Sequence, residues 1–301
     1  MKLCPNQRQR SYNLQVLLLV LFFVLILVKL YLDSKDAASF ATKPTSISNS
    51  PNRMVIVVTP TYKRITRIPD MTRLANTLAH VENLHWLVVE DGYGIVPEVR
   101  QMLERTNLSY TYMAHKTAKG YPSRGWYQRT MALRYIRSSS AKILGKQRNG
   151  AVVYFADDDN AYDVRLFTDY IRNVNTLGVW AVGLVGGVVV EAPKVVNQKV
   201  TAFNVRWALS RRFAVDMAGF AINLKLILNS DAVFGTDCKR GEGAPETCLL
   251  EDMGLKMEDI EPFGYDATKV RDIMVWHTKT SPPEIEQTDQ PIDSLGYFVE
   301  Y

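Results

Sequence analysis

The chain has 301 residues, 47% of them apolar and 22% charged, and carries a net charge of +5 at pH 7. Its basic residues are dispersed rather than clustered, so the composition gives no support to nucleic-acid binding. Beyond its first fifty residues, about 250 remain, enough for one α/β domain or two closely joined halves.

Leu14 to Val28 is apolar except for Gln15, and the apolar character resumes at Leu30-Tyr31-Leu32 beyond Lys29. With Lys29 snorkelling to the interface, residues 14–32 are long enough for a single span of a thin bilayer. The competing reading is a cleaved signal peptide, for which Ala37-Ala38-Ser39 is a weak cleavage site. Lys2, Arg8 and Arg10 precede the stretch, whereas Asp33, Lys35 and Asp36 follow it. Positive charge stays cytoplasmic, so residues 1–13 read as a cytoplasmic tail and the rest as lumenal. A short span suits the thin membranes of the early secretory pathway. Residues 33–52 are rich in Ser, Thr, Pro and Asn and read as a flexible stem. Cys4 falls in the tail, leaving Cys238 and Cys248 either to close a short loop as a disulfide or to stand as two buried thiols. Asn107-Leu108-Ser109 is a glycosylation sequon, usable if its loop is exposed.

Met54 to Thr59 is a β-branched run ending at Pro60, the pattern of a buried strand. Met71 to Val81 has helical spacing, and a second strand, Trp86–Val89, runs into Glu90-Asp91-Gly92. Val96–Leu103 predicts a helix, Tyr110–Met113 a strand, and Trp126–Ile136 a helix followed by a polar linker. The apolar run Ala151–Ala156 predicts a fourth strand. This alternation predicts an α/β fold, a mostly parallel sheet covered by helices on both faces.

That fourth strand leads directly into Asp157-Asp158-Asp159. Three adjacent carboxylates repel one another and resist burial without a counter-charge. At the carboxyl edge of a parallel sheet, where ligands bind, such hard oxygen ligands suit Mn²⁺ or Mg²⁺ holding a nucleotide diphosphate. The plainer alternative is a solvated acidic turn capping the next helix. Thr61-Tyr62-Lys63-Arg64 and Glu90-Asp91 end the first two strands, so three polar clusters share one edge. No GxGxxG, Walker loop, HExxH, CxxC or GxSxG pattern occurs, which disfavours an ordinary dinucleotide, P-loop, zinc or serine-hydrolase site. His80, His85 and His115 read as surface or helix-end residues, whereas His277 ends the strand Ile273–Trp276. In the second half, Trp180–Val190 reads as strand–turn–strand with Gly186-Gly187 at the bend. Glu191 emerges from that run, and Asp216 precedes an apolar turn leading to the helix Leu224–Leu228.

The blocks VVTPTYKR (Val57–Arg64), LHWLVVED (Leu84–Asp91), RGWYQRTMAL (Arg124–Leu133), VVYFADDDNAY (Val152–Tyr162), WAVGLVGG (Trp180–Gly187), VDMAGFA (Val215–Ala221) and VWHTKT (Val275–Thr280) stand in this order. In residues, order and spacing they resemble the β1,3-glucuronosyltransferases, GT-A-type Golgi enzymes that transfer glucuronic acid from UDP-glucuronate to galactose. The resemblance implies a Rossmann-like GT-A fold with a UDP-sugar-binding half, residues 53–160, and an acceptor-binding and catalytic-base half, residues 161–301. It further implies a type II Golgi membrane protein with a lumenal catalytic region, and a homodimer.

Carried over block by block, the resemblance places Tyr62 and Asp91 at the uracil and ribose end of UDP. Arg124 and Arg129 would meet the diphosphate and the glucuronate carboxylate, for which a planar guanidinium is suited. Asp157 and Asp158 would contact the sugar nucleotide, Asp159 would coordinate Mn²⁺, and His277 would reach the diphosphate. Glu191, Trp207, Arg211 and Asp216 would hold a galactose-terminated glycan, on the proteoglycan linker or of the N-acetyllactosamine type. Glu246 would be the base of an inverting transfer, with Glu242 as its nearby competitor. Two rivals are a GT-A transferase using another UDP-sugar and a catalytically silent glycan-binding Golgi protein.

Overall fold

The computed structural model describes residues 16–29, 53–146, 150–265 and 270–284, and the chain divides into two compact units, residues 1–49 and 50–301. In the first unit, residues 16–29 form helix α1, with its side chains exposed. Among the described residues no helix is long and apolar enough to cross a membrane. The ends of the predicted span, the tail with Cys4 and all of the stem lie outside the described residues.

In the second unit, β1 (Met54–Thr61), β2 (Leu84–Glu90), β3 (Ser109–Ala114) and β4 (Ala151–Phe155) lie parallel in the order β4-β1-β2-β3. They are joined by α2 (Arg67–Leu78), α3 (Pro97–Glu104) and α4 (Trp126–Leu144). Side chains of β1 alternate between faces, and both faces are buried: Ile56 and Val58 join one apolar cluster, Val55 and Val57 the other.

There follow β5 (Ala161–Tyr162), β6 (Leu177–Val179), β7 (Val182–Gly183), β8 (Val190–Val196) and β9 (Lys199–Asn204), of which β7, β8 and β9 are successive antiparallel neighbours. The chain then runs through β10 (Phe220–Asn223), α5 (Leu224–Leu228), α6 (Pro245–Asp252), β11 (Ile260–Pro262) and β12 (Val275–Trp276). The main sheet has the order β11-β6-β10-β4-β1-β2-β3, with β10 antiparallel to both neighbours. A smaller, largely antiparallel sheet, β5-β12-β7-β8-β9, contains the expected Trp180–Val190 strand–turn–strand at β7–β8 and, in β12, the end of the expected strand Ile273–Trp276, whereas β5 and β9 have no counterpart in the sequence reading. At that turn Gly186 and Gly187 have φ of +62° and +77°, a conformation that only glycine adopts freely.

Two helices differ from what the apolar spacing predicts: α2 starts before Met71 and ends at Leu78 rather than Val81, and α4 runs on past Ile136. Helix α2 starts at Arg67, because the Arg67 side chain turns inward to an ion pair with Glu90 (2.6 Å), which also accepts from Tyr112 Oη (2.6 Å). Glu90 is therefore buried within the fold rather than presented at the sheet edge. Helix α4 continues through the expected polar linker to Leu144. Ile143 is buried there, and Arg137 donates to the carbonyls of Ile227 (3.0 Å) and Ala232 (2.6 Å). His85 is likewise buried in β2, bonded to Ser109 Oγ (2.8 Å) and Thr111 Oγ1 (3.0 Å), and is not a surface residue.

Candidate active site

Because β4, β1 and β2 are neighbours in parallel register, with Val58 opposite Phe155 and Thr61 opposite Glu90, their carboxyl ends deliver Tyr62, Asp91 and the acidic triplet to one edge. A cleft of about 680 Å³ opens there. Its lining contains Tyr62, Asp91, Arg124, Arg129, Asp157, Asp158, Asp159 and His277 together with Glu191, Trp207, Arg211, Asp216 and Glu246. Residues spread over more than two hundred positions thus meet in one space. Glu242 is exposed, accepts from Ser210 Oγ and is not part of the lining. Asn107 is exposed in the turn between α3 and β3.

The three aspartates have different surroundings. Asp157 is paired with Arg129, and Tyr162 Oη donates to its carbonyl at 2.9 Å. Burial raises the Asp157 pKa, and the Arg129 charge opposes that rise. Asp158 is buried and accepts on one oxygen from Thr61 Oγ1 (2.7 Å) and Arg64 Nη1 (2.8 Å). Asp159 is held by its backbone carbonyl, which accepts from Arg73 Nη2 and Thr278 Oγ1, both at 2.6 Å. Burial and the charges of Asp158 and Asp157 raise the Asp159 pKa. Among the described residues its carboxylate forms no ion pair, so it is the member of the triplet whose negative charge is left for a cation.

Among the described residues no group of three or more His, Cys, Asp or Glu could hold a metal by itself. The donor set instead fits the mode in which one or two carboxylates share a small divalent ion with substrate phosphates. In that mode Asp159 could supply the carboxylate, and Arg124, Arg129 and His277, which line the same cleft, could supply positive or hydrogen-bonding groups for an anion.

Gly125 caps α4 with φ +73°, and a Cβ there would fall 2.7 Å from Arg129 Nη1 and 3.0 Å from Pro60. The RG pair thus lets α4 begin against β1 with Arg129 reaching Asp157. Asp91 accepts from the backbone N–H and hydroxyl of Thr117, both at 2.8 Å, with Lys116 Nζ at 3.3 Å. Burial would raise its pKa, but these partners outweigh burial and hold it below the ordinary 3.8. Tyr62 is exposed, with the Arg64 guanidinium 5.1 Å from its ring centre.

At the other end, Trp207 is half exposed and Arg211 lies 5.2 Å over its ring. Arg211 is fixed by the carbonyls of Ala208, Val215 and Trp207. The Glu191 carboxylate fills the space a Cβ on Gly186 would need, at 2.0 Å. Burial raises the Glu191 pKa, opposed by the backbone N–H of Arg206 and the charge of Arg211. Glu246 stands in the first turn of α6 and is 7% exposed; burial, reinforced by the charge of Asp216, pushes its pKa up to about 7. Cys238 and Cys248 form a disulfide with Cα atoms 5.8 Å apart, closing the loop that leads to Glu246.

Arg64, Arg73, Thr117 and Thr278 were not singled out from sequence. Arg64 sits in the first polar cluster and could have been found as the counter-charge the triplet requires. Thr117 is a loop residue with no sequence signal of its own, whereas Thr278 stands in the VWHTKT block beside His277.

The family model for glycosyltransferase family 43 matches residues 74–281. The chain is 41% identical over 239 residues to galactosylgalactosylxylosylprotein 3-beta-glucuronosyltransferase 1 of Homo sapiens, covering 75% of this chain and 69% of that one. It is 37% identical over 259 residues to the 3-beta-glucuronosyltransferase sqv-8 of Caenorhabditis elegans, covering 82% and 69%. It is 38% identical over 252 residues to the human 3-beta-glucuronosyltransferase 3, covering 78% and 73%.

Proposed function

The chain belongs to glycosyltransferase family 43, and from that premise we propose that it is a β1,3-glucuronosyltransferase acting on the galactosyl-galactosyl-xylosyl linker of proteoglycans. It transfers glucuronic acid from UDP-glucuronate to the 3-hydroxyl of the terminal β-galactose. The observation that carries this reading is one cleft holding both the acidic sheet edge and, in α6, a buried glutamate whose pKa lies near neutrality.

UDP lies at the sheet edge, its uracil against Tyr62 and its ribose end at Asp91. Arg124, Arg129 and His277 face the diphosphate and the glucuronate carboxylate. Asp159 is the protein ligand of Mn²⁺, which when bound offsets charge on the departing UDP. Trp207 offers its half-exposed ring to the apolar face of galactose, beside Glu191, Arg211 and Asp216. Glu246 removes the proton from the galactose 3-hydroxyl as that oxygen attacks the anomeric carbon. The new C–O bond forms on the face opposite UDP, the old one breaks, and UDP leaves with the bonding pair. A carboxyl with a pKa near 7 is ionised often enough to act and basic enough to accept the proton.

The same reading makes the protein a type II Golgi membrane enzyme with a lumenal catalytic unit, dimeric, with a glycan on the exposed Asn107. Product formation from UDP-glucuronate on a panel of linker trisaccharide, N-acetyllactosamine and plain galactoside acceptors tests the reaction and its acceptor. Transfer to the linker trisaccharide above the others is the expected outcome. Equal use of UDP-glucose, or no transfer to any acceptor, would overturn it.

A further inference from the structure

Asp70 lies outside the cleft lining, in the first turn of α2, and is fully buried. An acid in a helix's first turn needs only the helix dipole and water to be content. This one instead gathers three side chains, two arginines flanking it in sequence and a threonine 210 residues away. Its Oδ2 accepts from Arg64 Nη2 at 3.0 Å, and its Oδ1 accepts from Thr280 Oγ1 at 2.7 Å and lies 3.2 Å from Arg73 Nη2.

Each partner continues to the cleft. Arg64 passes its other amino group to Asp158 at 2.8 Å and lays its guanidinium over Tyr62. Arg73 donates to the carbonyl of Asp159 at 2.6 Å. Thr280 belongs to the strand-end segment that begins with His277, and Thr278 of the same segment donates to that Asp159 carbonyl. One carboxylate therefore sits behind the acidic triplet, the Tyr62 ring and the histidine segment at once.

We infer that Asp70 is a positioning residue that couples the Asp158-Asp159 turn to the His277–Thr280 segment and so sets the geometry in which metal and diphosphate bind. The inference rests on the reading of Asp159 as the Mn²⁺ ligand. A ligand carboxylate is only as well aimed as the backbone that carries it, and outer partners of this kind orient metal ligands. Asn at position 70 keeps the size of the side chain but leaves two guanidinium groups without their shared counter-charge.

The test is UDP binding by the full-length protein, measured calorimetrically at increasing Mn²⁺ and without metal, for the wild type, Asp70→Asn, Arg73→Met and Thr280→Val. Thermal unfolding is recorded alongside. The Mn²⁺ needed for half-maximal UDP binding should rise roughly 10–100-fold in Asp70→Asn, and by a smaller factor in the other two. Metal-free UDP binding should change far less, a split that general loosening of the fold would not produce. Should Asp70→Asn fail to fold, the two single-arm variants carry the test. Mn²⁺-dependent binding in the wild type with unmoved half-saturation in every folded variant overturns the coupling alone. Wild-type binding that ignores Mn²⁺ removes the metal reading, and the inference with it.

Discussion

His277 and Asp216 share a hydrogen bond, Nε2 to Oδ1 at 2.9 Å, so the strand-end histidine and the acid before the apolar turn form one unit. The same Asp216 oxygen accepts from the Ala218 N–H at 2.9 Å, which fixes its direction. Burial disfavours the imidazolium, but the hydrogen bond and charge of Asp216 outweigh burial, and the His277 pKa stands above the ordinary 6.5. With the folded pKa raised, the stabilisation from this pair is fully present below pH 6.5 and is lost as pH rises through the raised value. In Asp216→Asn the imidazole should titrate at lower pH. NMR titration of the His277 ring measures this, and an unmoved midpoint would assign the shift to another group.

Glu246 gives a prediction in pH and in rate. Its folded pKa of about 7 lies above the ordinary 4.5, so its contribution to stability is greatest below 4.5 and is lost as pH rises through 7. Catalysis needs the opposite, ionised form, so kcat/KM should climb with pH through about 7. In Glu246→Gln turnover should fall by roughly 10²–10⁴-fold, and the residual activity should lose that acid limb. Near-normal turnover would move the base to another acid, although Glu242 faces solvent and Ser210 rather than the cleft.

Donor choice should depend on Arg129. It is 4% exposed, and its Nε is buried without a hydrogen-bond partner, so the guanidinium retains donor capacity beyond its pairing with Asp157. Arg129→Ala should erode the preference for UDP-glucuronate over UDP-glucose by about 10²-fold or more, since removing one partner of a buried charge pair costs several kcal/mol. The ratio of kcat/KM for the two donors reads this directly. An unchanged ratio would leave the carboxylate contact to Arg124.

The strands of the main sheet were legible because β1, β2 and β4 are short β-branched runs bounded by polar residues, and their parallel order follows from the helices between them. The cleft was legible where blocks of sequence carry it, from Tyr62 to His277. Glu90 escaped because an acid at a strand end looks the same whether it faces solvent or a buried arginine 23 residues earlier in the chain. The limits of α2 and α4 escaped because tertiary partners set them: Glu90 for Arg67, and two carbonyls near α5 for Arg137. Of the small sheet, β5 escaped because a strand of two residues leaves no periodicity to read, and β9 because its Lys199–Asn204 run is mostly exposed and lacks a buried apolar face.

The Cys238–Cys248 disulfide gives the last prediction, because sequence left its formation open and the fold shows why it bears on the base. The enclosed segment makes a tight turn in which Gly241 packs so closely that a Cβ would fall 2.8 Å from Cys238 Sγ. The backbone N–H groups of Gly241 and Gly243 both donate to the Cys238 carbonyl, at 3.1 and 3.0 Å. Glu246 stands between this turn and Cys248, so the bridge restrains the base from both sides in the chain. Cys238→Ser should cost roughly 2–4 kcal/mol of stability, or about 2–4 °C in Tm for each kcal/mol. Turnover should fall with it, while UDP binding, which the proposed function places at the sheet edge, should stay close to wild type. Differential scanning of both proteins with and without reductant separates the cases. Reductant should lower the wild-type Tm towards that of the variant and leave the variant unmoved. Equal turnover in Cys238→Ser and wild type would show that the Glu246 geometry is held by the packing of α6 alone.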